Sequence, residues 1–175
     1  MRGRSPDPSG IIVLCVGNPL RVDDGFGYMV YRLLKKLRLP SVYFASTPEN
    51  IVGVLLDIKP RVVILVDALL GEGTGLVISK LSRMKVLQPQ TTHNIPLNLL
   101  FKAVGIDPEN VLVIGVFVEN LSFGGEPSDK VKRAAEAASS LIWKLLTKNV
   151  LPIELELCDE GSIVPGSIED LTLVK

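Results

Sequence analysis

Three ionisable side chains lie where the sequence predicts loops and strand ends at one edge of a sheet. Asp24 is in a polar turn that begins at Gly17, Asp67 follows an apolar run, and His93, the only histidine, is in a Thr/Asn-rich loop. Two carboxylates and one imidazole can bind a borderline metal ion and leave coordination positions open for water or a substrate. Such an open site suits metal-assisted hydrolysis, in which the ion polarises a carbonyl group and activates water.

Each of the three side chains also has a purely structural explanation. Acids at a strand-to-helix turn commonly cap the helix, and we expect Asp23 to be the cap and Asp24 to keep its carboxylate free. Asp67 could cap the loop after its strand in the same way, and His93 could be an ordinary surface residue. Their expected placement at one end of a sheet favours the metal-binding interpretation.

The elements that must position these residues alternate between strands and helices. Apolar runs without alternation predict strands buried on both faces, at Ile11–Val16, Val42–Ala45, Arg61–Val66, Leu76–Leu81 and Val111–Val118. Apolar residues at helical spacing predict helices that begin near Phe26, Pro48, Leu97 and Asp129. This order predicts an α/β protein, a three-layer α/β/α domain with a twisted, mostly parallel central sheet of about five strands flanked by helices. In such sheets, ligands bind beyond the carboxyl ends of the strands.

Length and composition indicate a single domain. The chain has 175 residues, of which 47% are hydrophobic, and this is enough for a substantial core. We expect residues 1–10 to be disordered, residues 11–147 to form the core, and residues 150–175 to form a C-terminal extension. The alternation in Ile153–Leu157 leaves open whether that extension adds a strand or docks as a tail.

Charge and motif content exclude several classes of function. Nineteen basic and nineteen acidic residues cancel, and only 5% of the residues are aromatic, so nothing points to nucleic acid. The glycine-rich turns match neither the Walker nor the dinucleotide-binding pattern. We expect no signal peptide and no membrane span. Cys15 in the first strand and Cys158 near the C-terminus favour a reduced, cytoplasmic protein, and we expect a monomer.

Four motifs, in order along the chain, resemble those of the hydrogenase maturation endopeptidases. Residues 17–27, with the sequence GNPLRVDDGFG, are similar to the Gly-Asn-x₄-Asp-Asp/Glu-Gly-x-Gly motif of that family, and Val66–Ala68 resembles its second acidic position. Thr91–Asn98, with the sequence TTHNIPLN, and Pro48–Asn50 resemble the branch that serves formate-hydrogenlyase-type hydrogenases. The resemblance covers roughly residues 11–147.

The resemblance implies a specific activity and a specific site. Members of this family remove a C-terminal extension from the large-subunit precursor of a [NiFe] hydrogenase after nickel has been inserted. Carried onto this chain, the nickel-contacting and catalytic positions are Asp24, Asp67 and His93, and the nickel is supplied by the precursor. Some relatives have Glu at the position of Asp24, so the carboxylate reaches less far here. Two other functions stay open: a different metal-dependent hydrolase of the same fold, and a non-catalytic chaperone that recognises the nickel-loaded precursor.

Overall fold

Strands and helices alternate along most of the chain, as the apolar runs predict. The structure is a computed structural model that describes residues 10–71, 73, 75–84, 90–91, 96–147 and 162–164, with residues 90–91 and 162–164 described by their backbone alone. Its strands are β1 (Ile11–Val16), β2 (Val42–Ala45), β3 (Val62–Leu70), β4 (Leu76–Lys80), β5 (Gln90–Thr91), β6 (Val111–Val118) and β7 (Ser162–Val164). Its helices are α1 (Phe26–Lys36), α2 (Val52–Ile58), α3 (Leu97–Ala103) and α4 (Asp129–Thr147). Short 3-10 turns precede α1, α2 and β6, whereas β3, β4 and β5 follow one another among the described elements.

The sheet has a parallel centre and antiparallel additions. Its strand order is β2-β1-β3-β6-β4-β7, with β5 paired to β3. The first four strands in this order run parallel to one another, whereas β4 runs antiparallel to β6 and β7 runs antiparallel to β4. The predicted mostly parallel sheet of five main strands is therefore confirmed. The short strands β5 and β7 are additions that the apolar pattern does not predict.

Two apolar layers enclose the sheet, because successive residues of a buried strand point to opposite faces. On one face, alternate residues of the strands pack against α1 and α4. On the other face, the remaining strand residues pack against α2 and α3. The predicted three-layer α/β/α arrangement is thereby confirmed. None of the described helices is both long and apolar enough to cross a membrane.

The strand that carries Asp67 is longer than predicted. The expectation that Asp67 marks the end of this strand is wrong, because pairing with β6 continues to Leu70, opposite Val118. The residues that follow Asp67 are themselves apolar and buried as far as Leu69, so nothing local stops the strand. Asp67 therefore lies within a strand and does not cap a loop.

Some expectations concern residues outside the described part of the chain. This applies to residues 1–9 and to the proposed strand at Ile153–Leu157. The described C-terminal residues, Ser162–Val164, pair with β4 through their backbone. Either Ser128 or Asp129 is a candidate cap for the last helix from the sequence, and Ser128 takes this role: its Oγ atom accepts a hydrogen bond from the Val131 N–H at 3.4 Å.

Candidate active site

The carboxyl ends of β1 and β3 form the switch point of the sheet. From β1 the chain first adds β2 on one side and then β3 on the other, so the two following connections leave in opposite directions. Pairing between these strands ends at Cys15 and Val66, and β3 continues beyond this point. Beyond the end of β1, β5 pairs with Leu69 and Leu70 of β3. A switch point of this kind is the usual ligand-binding crevice of an open α/β sheet.

Two glycines let the turn after β1 fold back onto the end of that strand. Gly17 has a φ of +150°, and a Cβ atom at this position would collide with the backbone oxygen of Asp24. A Cβ atom at Gly27 would collide with the carbonyl oxygen of Val16. Because neither atom is present, α1 begins directly against β1. The 3-10 turn Asp23–Gly25 can therefore pack against β3 and bring Asp24 to the switch point.

Asp24 is buried, with only 2% of its surface exposed. Its Oδ2 atom accepts a hydrogen bond from the backbone N–H of Asn18 at 3.2 Å. Its Oδ1 atom is also buried, and no described residue donates a hydrogen bond to it. A buried carboxylate oxygen without a donor is energetically costly, and buried charges are normally paired or bound to a metal ion. The sequence motif contains Asn18, but only the folded turn reveals it as a donor to Asp24.

Asp67 is fully buried at the same edge of the sheet. Its Oδ1 atom accepts a hydrogen bond from the backbone N–H of Ala68 at 2.9 Å. Burial raises the pKa of Asp67 well above its ordinary value, the negative charge of Asp24 raises it further, and the Ala68 bond opposes both effects. Asp24 and Asp67 are therefore near enough to repel each other. An incoming cation would relieve this repulsion.

Alternation along β3 determines which way Asp67 faces. The odd-numbered residues Val63, Leu65 and Leu69 belong to the apolar layer that contains α2 and α3. Because the side-chain period of a strand is two residues, Asp67 points toward the same layer.

The structure brings together two of the three predicted site residues. His93 lies outside the described residues, so its place in the site stays a prediction. Within the part of the chain that the structure describes, no group of three His, Cys, Asp or Glu residues could hold a metal ion. The described site is thus a pair of buried carboxylates.

The prediction that Asp23 caps α1 is wrong. The N-cap position of α1 is Gly25, and no side chain makes a capping hydrogen bond there. Asp23 lies one 3-10 turn earlier, and its Oδ1 atom accepts a hydrogen bond from the backbone N–H of Ser128 at 2.8 Å. Asp23 therefore joins the turn that carries Asp24 to the beginning of α4.

Cys15 is excluded as a nucleophile. The thiol is fully buried in β1, and burial raises its pKa far above neutral pH. A buried thiol of this kind remains protonated and unreactive.

Sequence and structure comparisons identify similar proteins. No protein-family model matches the chain. The hydrogenase 3 maturation protease of Escherichia coli (strain K12) is 28% identical over 137 residues, which span 71% of this chain and 83% of that protein. The crystal structure of the [NiFe] hydrogenase maturation protease HycI from Thermococcus kodakarensis KOD1 is 30% identical, with a TM-score of 0.63, and the match covers 78% of this chain and 92% of that one. A crystal structure of the hydrogenase 3 maturation protease is 25% identical, with a TM-score of 0.63, over 74% of this chain and 86% of the other.

The fold and the site define an α/β/α protein with two buried carboxylates at its switch point. The matched regions span most of this chain and most of each relative. The chain belongs to the family of hydrogenase maturation endopeptidases, in the branch of the hydrogenase 3 proteases, and it is a peptidase.

Proposed function

We propose that this peptidase removes the C-terminal extension from the large-subunit precursor of a [NiFe] hydrogenase after nickel has been inserted. The observation that carries the proposal is the buried Oδ1 atom of Asp24, which has no donor among the described residues and lies near the buried Asp67. The names of its relatives, hydrogenase maturation proteases, support the same reaction. A site with excess buried negative charge suits a substrate that brings a divalent cation.

We assign Asp24, Asp67 and His93 as the residues that contact the nickel of the precursor. The position of β5 supports the inclusion of His93. Thr91 pairs with Leu69, which is two residues beyond Asp67 along β3. His93 follows Thr91 by two residues in the sequence. An imidazole nitrogen can complete a set of two carboxylates and one histidine.

In the mechanism that we propose, the carboxylates recognise the nickel of the substrate and thereby position the scissile peptide bond. The attacking group is a water molecule activated by the nickel, or by a carboxylate acting as a base. The raised pKa of Asp67 suits proton transfer, because its carboxylate can accept a proton from this water and pass it to the leaving nitrogen. Since recognition and cleavage share one site, a precursor without nickel would not be cut.

We further propose that the protein acts as a monomer in the cytoplasm. Cys15, the cysteine within the described residues, is a free thiol, and this agrees with a reducing compartment.

Mass spectrometry of the large-subunit precursor tests the proposal. We expect the nickel-loaded precursor to lose a C-terminal fragment when the protein is added, and the nickel-free precursor to remain intact. The variants Asp24→Asn, Asp67→Asn and His93→Ala should each lower the rate of cutting by a factor on the order of 100 or more. Asp23→Asn is the matched control, because its amide oxygen can still accept the hydrogen bond from Ser128.

Three outcomes would contradict the proposal. Equal cutting of the nickel-loaded and the nickel-free precursor would show that cleavage does not depend on nickel. A stable complex without any change in precursor mass would indicate a chaperone. Tight metal binding by the protein alone, with hydrolysis of a small substrate, would indicate a different metal-dependent hydrolase.

A further inference from the structure

Two exposed apolar side chains lie beside the candidate active site. Leu20 is 68% exposed and Phe123 is 70% exposed, the highest values for large hydrophobic side chains among the described residues. Leu20 is in the turn after β1, and Phe123 is in the loop that connects β6 to α4. Both loops therefore leave the carboxyl ends of parallel strands, at the same edge of the sheet as Asp24 and Asp67.

Backbone hydrogen bonds hold these two loops together. The Gly124 N–H donates to the Leu20 carbonyl at 2.9 Å, and the Val22 N–H donates to the Ser122 carbonyl at 3.1 Å. Arg21 and Phe123 form an isolated antiparallel bridge between the same segments. These bonds hold the backbones of Leu20 and Phe123 in place relative to each other.

The side chain of Arg21 also fixes the ring of Phe123. The guanidinium carbon lies 4.9 Å from the ring centroid, within the range of a cation–π interaction. Even with this contact the ring keeps most of its surface exposed.

Turn chemistry does not explain the leucine. Residues 18–21 form a tight turn, in which the Arg21 N–H donates to the Asn18 carbonyl at 3.0 Å. Polar residues and glycine are preferred at such positions. The backbone N–H of Leu20 donates to Asn18 Oδ1 at 3.0 Å, but this bond would form with any side chain at position 20 and does not require an apolar one. A single exposed leucine is ordinary, but two large exposed apolar side chains on loops that are hydrogen-bonded to each other beside a site indicate a binding surface.

We propose that Leu20 and Phe123, here called the apolar rim, bind a nonpolar segment of the hydrogenase precursor next to the scissile bond. This inference rests on the proposed function. The occupant follows from continuity with the site: Asp23 donates its N–H to the Asn120 carbonyl at 3.2 Å, so the rim loops are bonded to the residue beside Asp24. Leu20 and Asp24 belong to the same turn after β1, so a peptide bond held at Asp24 lies close to the loops of the rim. An extended apolar segment would cover both side chains and exclude water from the entrance.

Kinetics with the nickel-loaded precursor test the apolar rim. We expect Leu20→Ser and Phe123→Ser each to raise KM by about tenfold and the double variant by about a hundredfold, with kcat unchanged, since the contacts are the same in ground and transition states. Leu20→Met and Phe123→Tyr should restore the wild-type KM, because they keep the apolar contact area. Leu37→Ser is the matched control: Leu37 is 50% exposed but follows the opposite end of α1, about 16 Å along the helix from the site.

A direct binding measurement separates this inference from the proposed function. The nickel-loaded precursor is immobilised, and its affinity for the wild-type protein is compared with its affinity for the rim variants. Only variants that unfold at the same temperature as the wild type are used. Weaker binding by the double variant supports the apolar rim whether or not the wild-type protein cuts the precursor. Equal affinity overturns the apolar rim, and so does a fall in kcat at constant KM. Failure of the wild-type protein to cut, with rim-dependent binding intact, overturns only the proposed function.

Discussion

Among single residues, we expect Asp67 to lower the stability of the fold at a position where the proposed chemistry needs a carboxylate. Burial and the neighbouring charge of Asp24 both disfavour its ionised form. The hydrogen bond from Ala68 compensates only in part, since the net shift of the pKa is upward. A costly buried carboxylate is expected where function requires it, because binding of the substrate can offset the cost.

We therefore predict that Asp67→Asn raises the free energy of unfolding at neutral pH. The pKa of Asp67 is higher in the folded state than in the unfolded chain, where it is about 3.9. The folded protein therefore holds the proton longer, and stability falls as pH rises from the unfolded pKa through the folded one. The variant has no such group, so its gain should be complete above this window and absent below about pH 4.

Thermal unfolding of wild-type protein and variant at pH 7 and at about pH 3.5 measures this difference. Each kilocalorie per mole of change in the free energy of unfolding should shift the unfolding temperature by roughly 2–4 °C in a chain of this length. Asp57→Asn, at an exposed position, is the control and should change little at either pH. An Asp67→Asn protein that is less stable than wild type at pH 7 would refute the explanation. The same variant should be inactive, so stability and activity would move in opposite directions.

At the scale of elements, the unit of β1, turn and α1 depends on close backbone approach. Gly27 lies against the carbonyl oxygen of Val16, where no side chain fits. Helix α1 thus sits on the end of β1, and its buried residues join the apolar layer shared with α4. A displaced α1 would also carry Asp24 away from β3.

Alanine substitution at two helical glycines should have opposite effects. Gly27→Ala forces α1 away from β1 and should lower the free energy of unfolding by about 3 kcal/mol. A Cβ atom added at Gly53 in α2 would meet no other atom within 4 Å, so Gly53→Ala should raise the free energy of unfolding by about 0.5–1 kcal/mol through helix propensity. Denaturant titration of both variants measures these changes. A Gly27→Ala protein as stable as the wild type would show that the close approach of α1 to the carbonyl oxygen of Val16 is not needed.

In the molecule as a whole, the site and β7 lie in different parts of the sheet. Asp67 is on β3, whereas β7 pairs with β4, and β6 and β4 separate the two. The described backbone contacts of Ser162–Val164 thus lie at the sheet edge and not at the switch point. Covering an edge strand in this way protects its free hydrogen-bonding groups.

Removal of residues 148–175 should therefore lower the unfolding temperature by a few degrees and leave precursor cutting within about twofold of wild type. Removal of residues 165–175 alone retains β7 and is the matched control. Calorimetry and the mass-spectrometric assay give the two readings. Loss of cutting at an unchanged unfolding temperature would instead assign the C-terminal segment a role in substrate binding.

The main elements and the acids Asp24 and Asp67 as candidate site residues could be predicted from the sequence. Ile11–Val16 and Val111–Val118 form strands with the predicted bounds, and Asp129–Thr147 forms the predicted helix. These elements are encoded locally, by apolar runs and by the 3.6-residue period. The glycine-rich turn after β1 and the acid in β3 could also be recognised from the sequence, because the spacing of their motifs resembles that of the hydrogenase maturation endopeptidases.

The tertiary structure decided the hydrogen-bond partner of Asp23, which comes from a distant part of the chain and could not be predicted from the sequence. Asp23 bonds to Ser128, 105 residues further along the chain, and no local pattern could indicate this partner. The extension of β3 beyond Asp67 depends on pairing with β6 and β5, and the pairing of Ser162–Val164 depends on the free edge of β4. Hydrophobic periodicity is a property of neighbouring residues, whereas hydrogen-bond partners and the burial that shifts a pKa come from segments that meet only in the fold.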